Sequence, residues 1–386
     1  MTRTLRVGMI GYAFMGALHS QAWRTLNHVY DLGADVEMRA ICGRNEEAVS
    51  AAAKKLGWAS YETDWRRLIA RDDIDIVDIC TPGSSHEEIA VAALAAGKHV
   101  LCEKPLANTV AEAERMAAAA AAAPGTSMVG FSYRTVPAIT YARDLVAQGR
   151  LGRIFHVRAV YLQDWIVDPE FPLVWRLRRE EAGSGALGDI GAHIIDATQF
   201  ITGSSITGVS GLTETFIADR PLVGEVHGLS ATASSERGAV TVDDAALFHA
   251  RFDNGSIGSF EATRFANGRR NGIEIEINGS LGSLRFDFQS MNELFVYDDT
   301  VDAKDAGWTR ISVTQPDHPY MSAWWPPGHI IGYEHTFTHE FRDFVDAIVS
   351  GTPARPSFAD GLQVQRVLDA VERSAASESR WTIVPE

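Results

Sequence analysis

The stretch VGMIGYAFMGALHS, Val7 to Ser20, decides the fold. It opens as a short apolar strand, passes through Gly11 and Gly16, and reads as a helix from about Met15 to Leu26. In a GxGxxG loop the first glycine permits the tight turn, the middle one lets a pyrophosphate approach the backbone, and the third allows close helix packing. Ala13 stands at the middle position and is small enough for the same approach. The amides at the helix start, around Ala13, Phe14 and Met15, would then face the anion.

Outward from this loop the first third of the chain alternates strand and helix. VEMRAICG is a second strand, EEAVSAAAKKLG a helix closed by Gly57, DIDIVDICTP a third strand, and HEEIAVAALAAG a helix closed by Gly97. KHVLCEKP is the fourth strand, an alanine-rich helix to Pro124 follows, and SMVGFSYR is the fifth. Strands joined by single helices of this length imply a parallel, doubly wound sheet. The rhythm changes near QGRLGR, Gln148 to Arg153, after which RIFHVRAVYLQDW, AALFHARFDNGSIGSFEATRF and GIEIEINGSLGSLRFDF are strand-rich. Asp253-Asn254-Gly255 and Asn278-Gly279 between such runs are hairpin signals. HTFTHEFRDFVDAIVSG and FADGLQVQRVLDAVERSA read as amphipathic helices. The fold class is therefore α/β. A doubly wound domain opened by the nucleotide loop gives way, near Gln148 to Arg153, to an α+β domain with an antiparallel sheet and C-terminal helices.

Composition narrows the function. The 386 residues carry 35 basic and 50 acidic side chains, a formal charge of −15, which disfavours nucleic acid and anionic membrane as partners. No run approaches the ~20 apolar residues of a membrane span. The three cysteines, Cys42, Cys80 and Cys102, have no metal-ligand spacing, so no metal is expected. They read as small buried hydrophobes in a reducing, cytoplasmic setting.

Coenzyme choice should be set after the second strand, where an acidic residue commonly bonds the ribose 2′-hydroxyl. Here Gly43 stands in its place and Arg44 follows. An arginine suits a 2′-phosphate, so between NAD and NADP the balance leans to NADP. Arg44 stacked on adenine, or capping the next helix with NAD bound, is the competing reading. A second informative stretch is AGSGALGDIGAHIID, Ala182 to Asp196. A helix starting near Gly188 or Asp189 puts Asp189 and His193 four apart on one face, with Asp196 three further on. A carboxylate one turn from an imidazole can orient it as a general base. A capping Asp and a core-edge His would give the same spacing.

Taken together, GMIGYAFMGALHS, TPGSSHEEIAVAALAAGKHVLCEKPLA, FSYRTVPA and GSGALGDIGAHIID resemble the Gfo/Idh/MocA oxidoreductase family over essentially the whole chain. Within it, YLQDWIVDP, VWRLR and PSFADG are most similar to levoglucosan-dehydrogenase-like members; inositol-dehydrogenase-like members are further relatives. The resemblance implies a Rossmann domain over 1–132 and, over 133–386, an α+β domain with an open, mainly antiparallel sheet. It implies an NAD(P)-dependent dehydrogenase acting on a secondary hydroxyl of a sugar, anhydrosugar or cyclitol, assembled as a dimer or tetramer. It implies Lys104, Asp189 and His193 as catalytic residues, with the proton handled by Lys104 or His193. Thr81, Pro82, His86 and Glu103 join the loop residues, Gly43, Arg44 and Lys104 at the coenzyme. Tyr133 and Arg134 match the family's YR pair and, with Lys104, Asp189 and His193, are expected at the substrate. Aromatic faces and polar edges suited to a sugar point to Gln163, Asp164, Trp165, Trp175 and Arg176, with Arg264, Asn267 and the WWPPGH segment as weaker candidates. Glu103 and Lys104 are expected to face the crevice at the strand's carboxyl end, and Pro105 to fix the turn. Two other activities fit the resemblance: glycoside cleavage by transient oxidation, and a non-catalytic NAD(P)/sugar sensor.

Overall fold

The computed structural model describes residues 3–227 and 230–385. The chain divides into two compact units: Met1–Ser132 with Val226–Ala231 and Tyr333–Leu362, and Tyr133–Glu225 with Thr232–Gly332 and Gln363–Glu386.

The first unit runs β1 (Arg3–Ile10), α1 (Phe14–Val29), β2 (Ala34–Cys42), α2 (Glu46–Leu56), β3 (Ser60–Glu62), α3 (Trp65–Ile69), β4 (Ile76–Ile79), α4 (His86–Ala95), β5 (His99–Glu103), α5 (Val110–Ala122) and β6 (Ser127–Gly130). Its strands form one parallel sheet in the order β3-β2-β1-β4-β5-β6, the doubly wound arrangement whose strand order reverses beside β1. β4 is buried along its whole length, which the apolar Ile76-Val77 start and helices on both faces require. The strand holding Val100 to Cys102 is the fifth rather than the fourth. Ser60–Glu62 forms a three-residue edge strand, too short to leave an apolar run in the sequence. The Lys104–Pro105 peptide is cis.

The second unit runs α6 (Pro137–Ala147), β7 (Ile154–Leu162), α7 (Arg179–Ala182), a π-helical turn (Leu187–Gly191), α8 (Ala192–Thr202), β8 (Ile206–Glu214), β9 (Asp219–His227), β10 (Ser230–Ala239), β11 (Ala245–Phe252), β12 (Ile257–Thr263), β13 (Gly272–Gly279), β14 (Gly282–Asp287), β15 (Glu293–Asp298) and β16 (Trp308–Ser312). After α9 (Tyr333–Ser350) and α10 (Phe358–Ala376), β17 (Thr382–Ile383) closes the chain. The main sheet has the order β16-β15-β14-β13-β7-β12-β11-β8-β17, antiparallel at every described pair except β7 with β12. β11 alternates buried and exposed from Ala246 to Phe252, so one sheet face packs inward while the other carries Leu247 and Arg251 outward. α8 packs on the inward face against β7 and β13.

The domain reading placed all of 133–386 in one body, whereas α9 packs in the first unit. Phe337, Phe341, Phe344, Val345 and Ile348 share a core with Leu5, Val7, Trp23 and Leu26. Those α9 residues recur every three or four positions, and their apolar stripe covers α1. Sequence periodicity shows such a stripe but not which surface it meets.

Candidate active site

Candidate residues lie in both units, and each unit builds its own part. In the first, the loop after β1 has the shape an anion needs. Gly11 adopts φ +103°, and a Cβ there would lie 2.7 Å from the Cys80 carbonyl oxygen. A Cβ on Gly16 would lie 2.3 Å from the Gly11 carbonyl oxygen, so the turn and α1 touch only because both side chains are absent. Ala13 is the N-cap of α1 with no side-chain cap bond, and no acidic residue sits in the first turn. Ala13 and Phe14 are exposed and Met15 half-buried. Amides left uncapped at a helix start, with no acid to repel phosphate, fit a dinucleotide pyrophosphate.

At the end of β2 the Tyr12 ring packs on Gly43, whose Cβ would fall 2.0 Å from it. An acidic side chain at 43 would collide with that ring. Arg44 is exposed, directly before the first turn of α2, which carries Glu46 and Glu47.

Thr81, Pro82 and Lys104 are half-buried at the carboxyl ends of β4 and β5. His86 and Glu103, expected at the coenzyme, are both buried. His86 is 1% exposed, with Nε2 2.8 Å from the Thr81 carbonyl and Nδ1 3.1 Å from the Pro105 carbonyl. Burial lowers its pKa, and it ties the two loops together from beneath. Glu103 turns inward and is buried against His19, because two uncompensated charges at one strand end would be harder to accommodate than one paired below.

Glu340, on α9, is a buried carboxyl with no hydrogen-bond partner for either oxygen among the described residues. Burial, and then the Glu103 carboxylate, push its pKa well above the usual range. Such a group holds its proton more tightly folded than unfolded. Its contribution is full below the unfolded value, about 4.3, and is lost as pH rises towards the folded one. Glu340→Gln has no proton to lose. Its melting temperature relative to the parent is therefore expected to rise steadily from about pH 4 to neutrality. A difference independent of pH, read by thermal denaturation, would show that Glu340 ionises normally.

In the second unit, the glycine-rich approach to α8 is held by Asp243, which accepts from the amides of Gly185 at 2.7 Å and Leu187 at 2.8 Å. Leu187–Gly191 is a π turn running into α8, a wider turn than the sequence spacing assumed. It leaves the Asp189 carboxylate partly exposed, 3.6 Å from Nη1 of the fully buried Arg264. His193 is 8% exposed, walled by the rings of Tyr133 at 4.6 Å and Tyr161 at 5.9 Å. From there a polar network runs outward. Tyr133 and Tyr161 share a hydroxyl bond of 2.8 Å, and Tyr161 donates to Oδ1 of Asn271 at 2.6 Å. Gln163 donates to the same oxygen at 2.8 Å and accepts from Trp165 Nε1 at 2.9 Å. Trp175 and Arg176 are half-buried on a short 3-10 turn, the guanidinium 4.4 Å above the indole. Arg134, expected at the substrate, donates from Nε and Nη2 to both oxygens of Asp196 and so anchors α8.

Sequence reading passed over Tyr161 and Asn271. Tyr161 carried a signal: it lies two residues before Gln163, hence on the same side of an extended chain. Asn271 carried none, since its place comes from the β13–β7 pairing that sets Gly272 opposite Leu162.

A family model described as "Oxidoreductase family, NAD-binding Rossmann fold" matches residues 5–131, and one described as "GFO/IDH/MocA C-terminal domain" matches 139–285. Levoglucosan dehydrogenase of Pseudarthrobacter phenanthrenivorans is 42% identical over 389 residues, covering 100% of this chain and 99% of the relative. The crystal structure of an oxidoreductase domain protein from Kribbella flavida superposes with a TM-score of 0.96 at 63% identity, covering 100% of both chains. A levoglucosan dehydrogenase complex with NADH and levoglucosan gives 0.94 at 41%, covering 99% of this chain and 100% of that one.

Proposed function

The chain belongs to the GFO/IDH/MocA oxidoreductase family, and on that premise we propose that it oxidises a secondary hydroxyl of a sugar, anhydrosugar or cyclitol, with levoglucosan the first candidate. The observation that carries the reading is His193 set between two tyrosines that begin a network of hydroxyl, amide and indole groups, the chemistry that binds a polyol.

When bound, the nicotinamide coenzyme accepts hydride from the carbinol carbon. His193 takes the hydroxyl proton, its ring held by Tyr133 and Tyr161. Lys104 donates to the reacting oxygen and stabilises the negative charge that develops there. Asp189, kept beside the Arg264 guanidinium, accepts from a neighbouring hydroxyl. Trp165 and Trp175 offer apolar faces, while Gln163, Asn271 and Arg176 offer donors and acceptors to the remaining edge.

For the coenzyme we favour NAD(H). The case for NADP rests on Gly43 in place of an acid and on Arg44, but Arg44 is exposed beside Glu46 and Glu47, and carboxylates there would repel a 2′-phosphate. The solved relative holds NADH. We also infer assembly with a second copy through the uncovered face of the long sheet, where Leu212 and Leu247 pair and stay 61% and 47% exposed. A cytoplasmic setting fits the free thiols of Cys42, Cys80 and Cys102, and no described helix is long and apolar enough to cross a membrane.

The test is reduced-nicotinamide absorbance with NAD or NADP against levoglucosan, hexoses and inositols. NAD reduction with an anhydrosugar, at kcat/KM about tenfold or more above NADP, is expected. A protein that binds coenzyme yet reduces it with no polyol would overturn the reading.

A further inference from the structure

Beneath the loop that carries Lys104 lies a buried charge cluster that the proposed chemistry does not use. His19 comes from α1, Asp78 and Cys80 from the end of β4, and Glu103 from the end of β5; Glu340 of α9 lies within their electrostatic reach. Both nitrogens of the fully buried His19 ring face acids. Nδ1 is 3.0 Å from each oxygen of Asp78, and Nε2 is 3.1 Å from Oε1 of Glu103. A neutral imidazole carries one N–H and can donate to only one of them. Two buried carboxylates on opposite sides therefore call for the imidazolium. Burial is the largest single influence and opposes that charge, but the charge of Asp78 and the hydrogen bonds from its neighbours together overcome it, and the His19 pKa is raised well above its ordinary value. Trp23 Nε1 completes the Asp78 shell at 2.7 Å.

Glu103 carries the arrangement onward. Its Oε2 accepts the backbone N–H of Lys104 at 3.0 Å. A continuous chain of hydrogen bonds thus runs from Asp78 through His19 and Glu103 to the peptide on which Lys104 is mounted. His19, Asp78 and Cys80 are also the one grouping of metal-ligand type among the described residues, with ligand atoms within 4.8 Å of one another. Those atoms already contact each other, Cys80 Sγ lying 3.2 Å from the same Nδ1, and burial holds the thiol protonated. The cluster therefore reads as a hydrogen-bonded device.

We propose that His19 is a positioning residue for Lys104, acting through Glu103: the imidazolium fixes the Glu103 carboxylate so that its second oxygen pins the Lys104 amide at the end of β5. Without the cation, Glu103 and Asp78 are buried carboxylates lacking a counter-charge, with Glu340 nearby. Glu103 must then take a proton or turn away, and either change loosens its hold on the Lys104 amide. This inference rests on the catalytic part given to Lys104 above.

The experiment labels the protein with [15N]lysine, which reports the amides of Lys54, Lys55, Lys98, Lys104 and Lys304. In His19→Gln the Lys104 amide is expected to exchange about tenfold or more faster, while the other four stay unchanged. kcat should fall about 10–100-fold with coenzyme affinity kept within about threefold, the signature of a displaced group rather than a lost fold. His19→Gln with Glu103→Gln removes both charges, leaves an amide oxygen for the Lys104 N–H, and should recover about tenfold of the loss. Unchanged Lys104 exchange, or parallel loss at all five amides and in coenzyme binding, overturns the proposal. Should His19→Gln not fold, the parent protein gives the reading. His19 is titrated by its ring 15N signals among Asp78, Cys80, Glu103, Glu340 and, beyond Glu103, His86. Lys104 exchange must break from its base-catalysed slope where His19 loses its proton; titration without such a break refutes the link. If Lys104→Met keeps full activity, the role of Lys104 fails, while amide exchange still decides whether His19 holds it.

Discussion

Lys104→Met lowers kcat by about 10²–10⁴-fold, the range of a positioned proton-handling or charge-stabilising group, with the coenzyme still bound. Methionine keeps the length and apolar stem of lysine but offers the reacting oxygen no donor. His193→Ala should cost a comparable factor. In the proposed mechanism the two serve one proton and one oxygen, so the double variant should lose far less than the product of the single losses. The pH profile of kcat/KM separates their duties. A general base must be unprotonated to work, so the acid limb disappears in the variant lacking the base and survives in the other. Loss of that limb in His193→Ala assigns the base to His193; its loss only in Lys104→Met moves the task to the lysine. Near-parental turnover and an unchanged profile in both would remove these residues from the mechanism.

Asp196→Ala is expected to destabilise the second unit by about 3–5 kcal/mol, because it leaves a buried guanidinium without its partner. Asp196 is 1% exposed and accepts two bonds from Arg134, at 2.8 and 2.6 Å. The pair joins α8, which carries His193, to the turn that carries Tyr133. Activity should therefore fall with stability. Arg134→Met combined with Asp196→Leu replaces the ion pair by apolar groups of similar volume and should recover much of the lost stability, since a buried pair is often no better than a hydrophobic one. Chemical denaturation of the three proteins decides it. A single variant within about 1 kcal/mol of the parent would mean that the pair is hydrated rather than buried.

The Rossmann half was legible because its signals are local. Gly11 and Gly16 mark a turn and a close approach within a few residues, and the strands of the parallel sheet are apolar runs between helices closed by Gly57 and Gly97. The exception, Ser60–Glu62, borrows its strand character from pairing with β2 rather than from its own composition. The four-residue spacing of Asp189 and His193 was legible, but the π turn that sets Asp189 beside Arg264 was not. It depends on Asp243, more than fifty residues away, holding the glycine loop by two amides.

The sequence by itself therefore determined the α/β class, the nucleotide-binding start, the strand-rich second half and the motifs of the oxidoreductase family. Each of these is written in neighbours three, four or a few residues apart. The tertiary structure alone decided which charges face outward and which are taken up within. Lys104 stays half-buried at its strand end, while the adjacent Glu103 turns down to His19 across 84 residues of chain. His19 in turn meets Asp78 across 59, and Arg134 meets Asp196 across 62. A side chain's partner at such distances is fixed by strand order and helix packing, because a buried charge goes wherever the fold supplies its counter-charge.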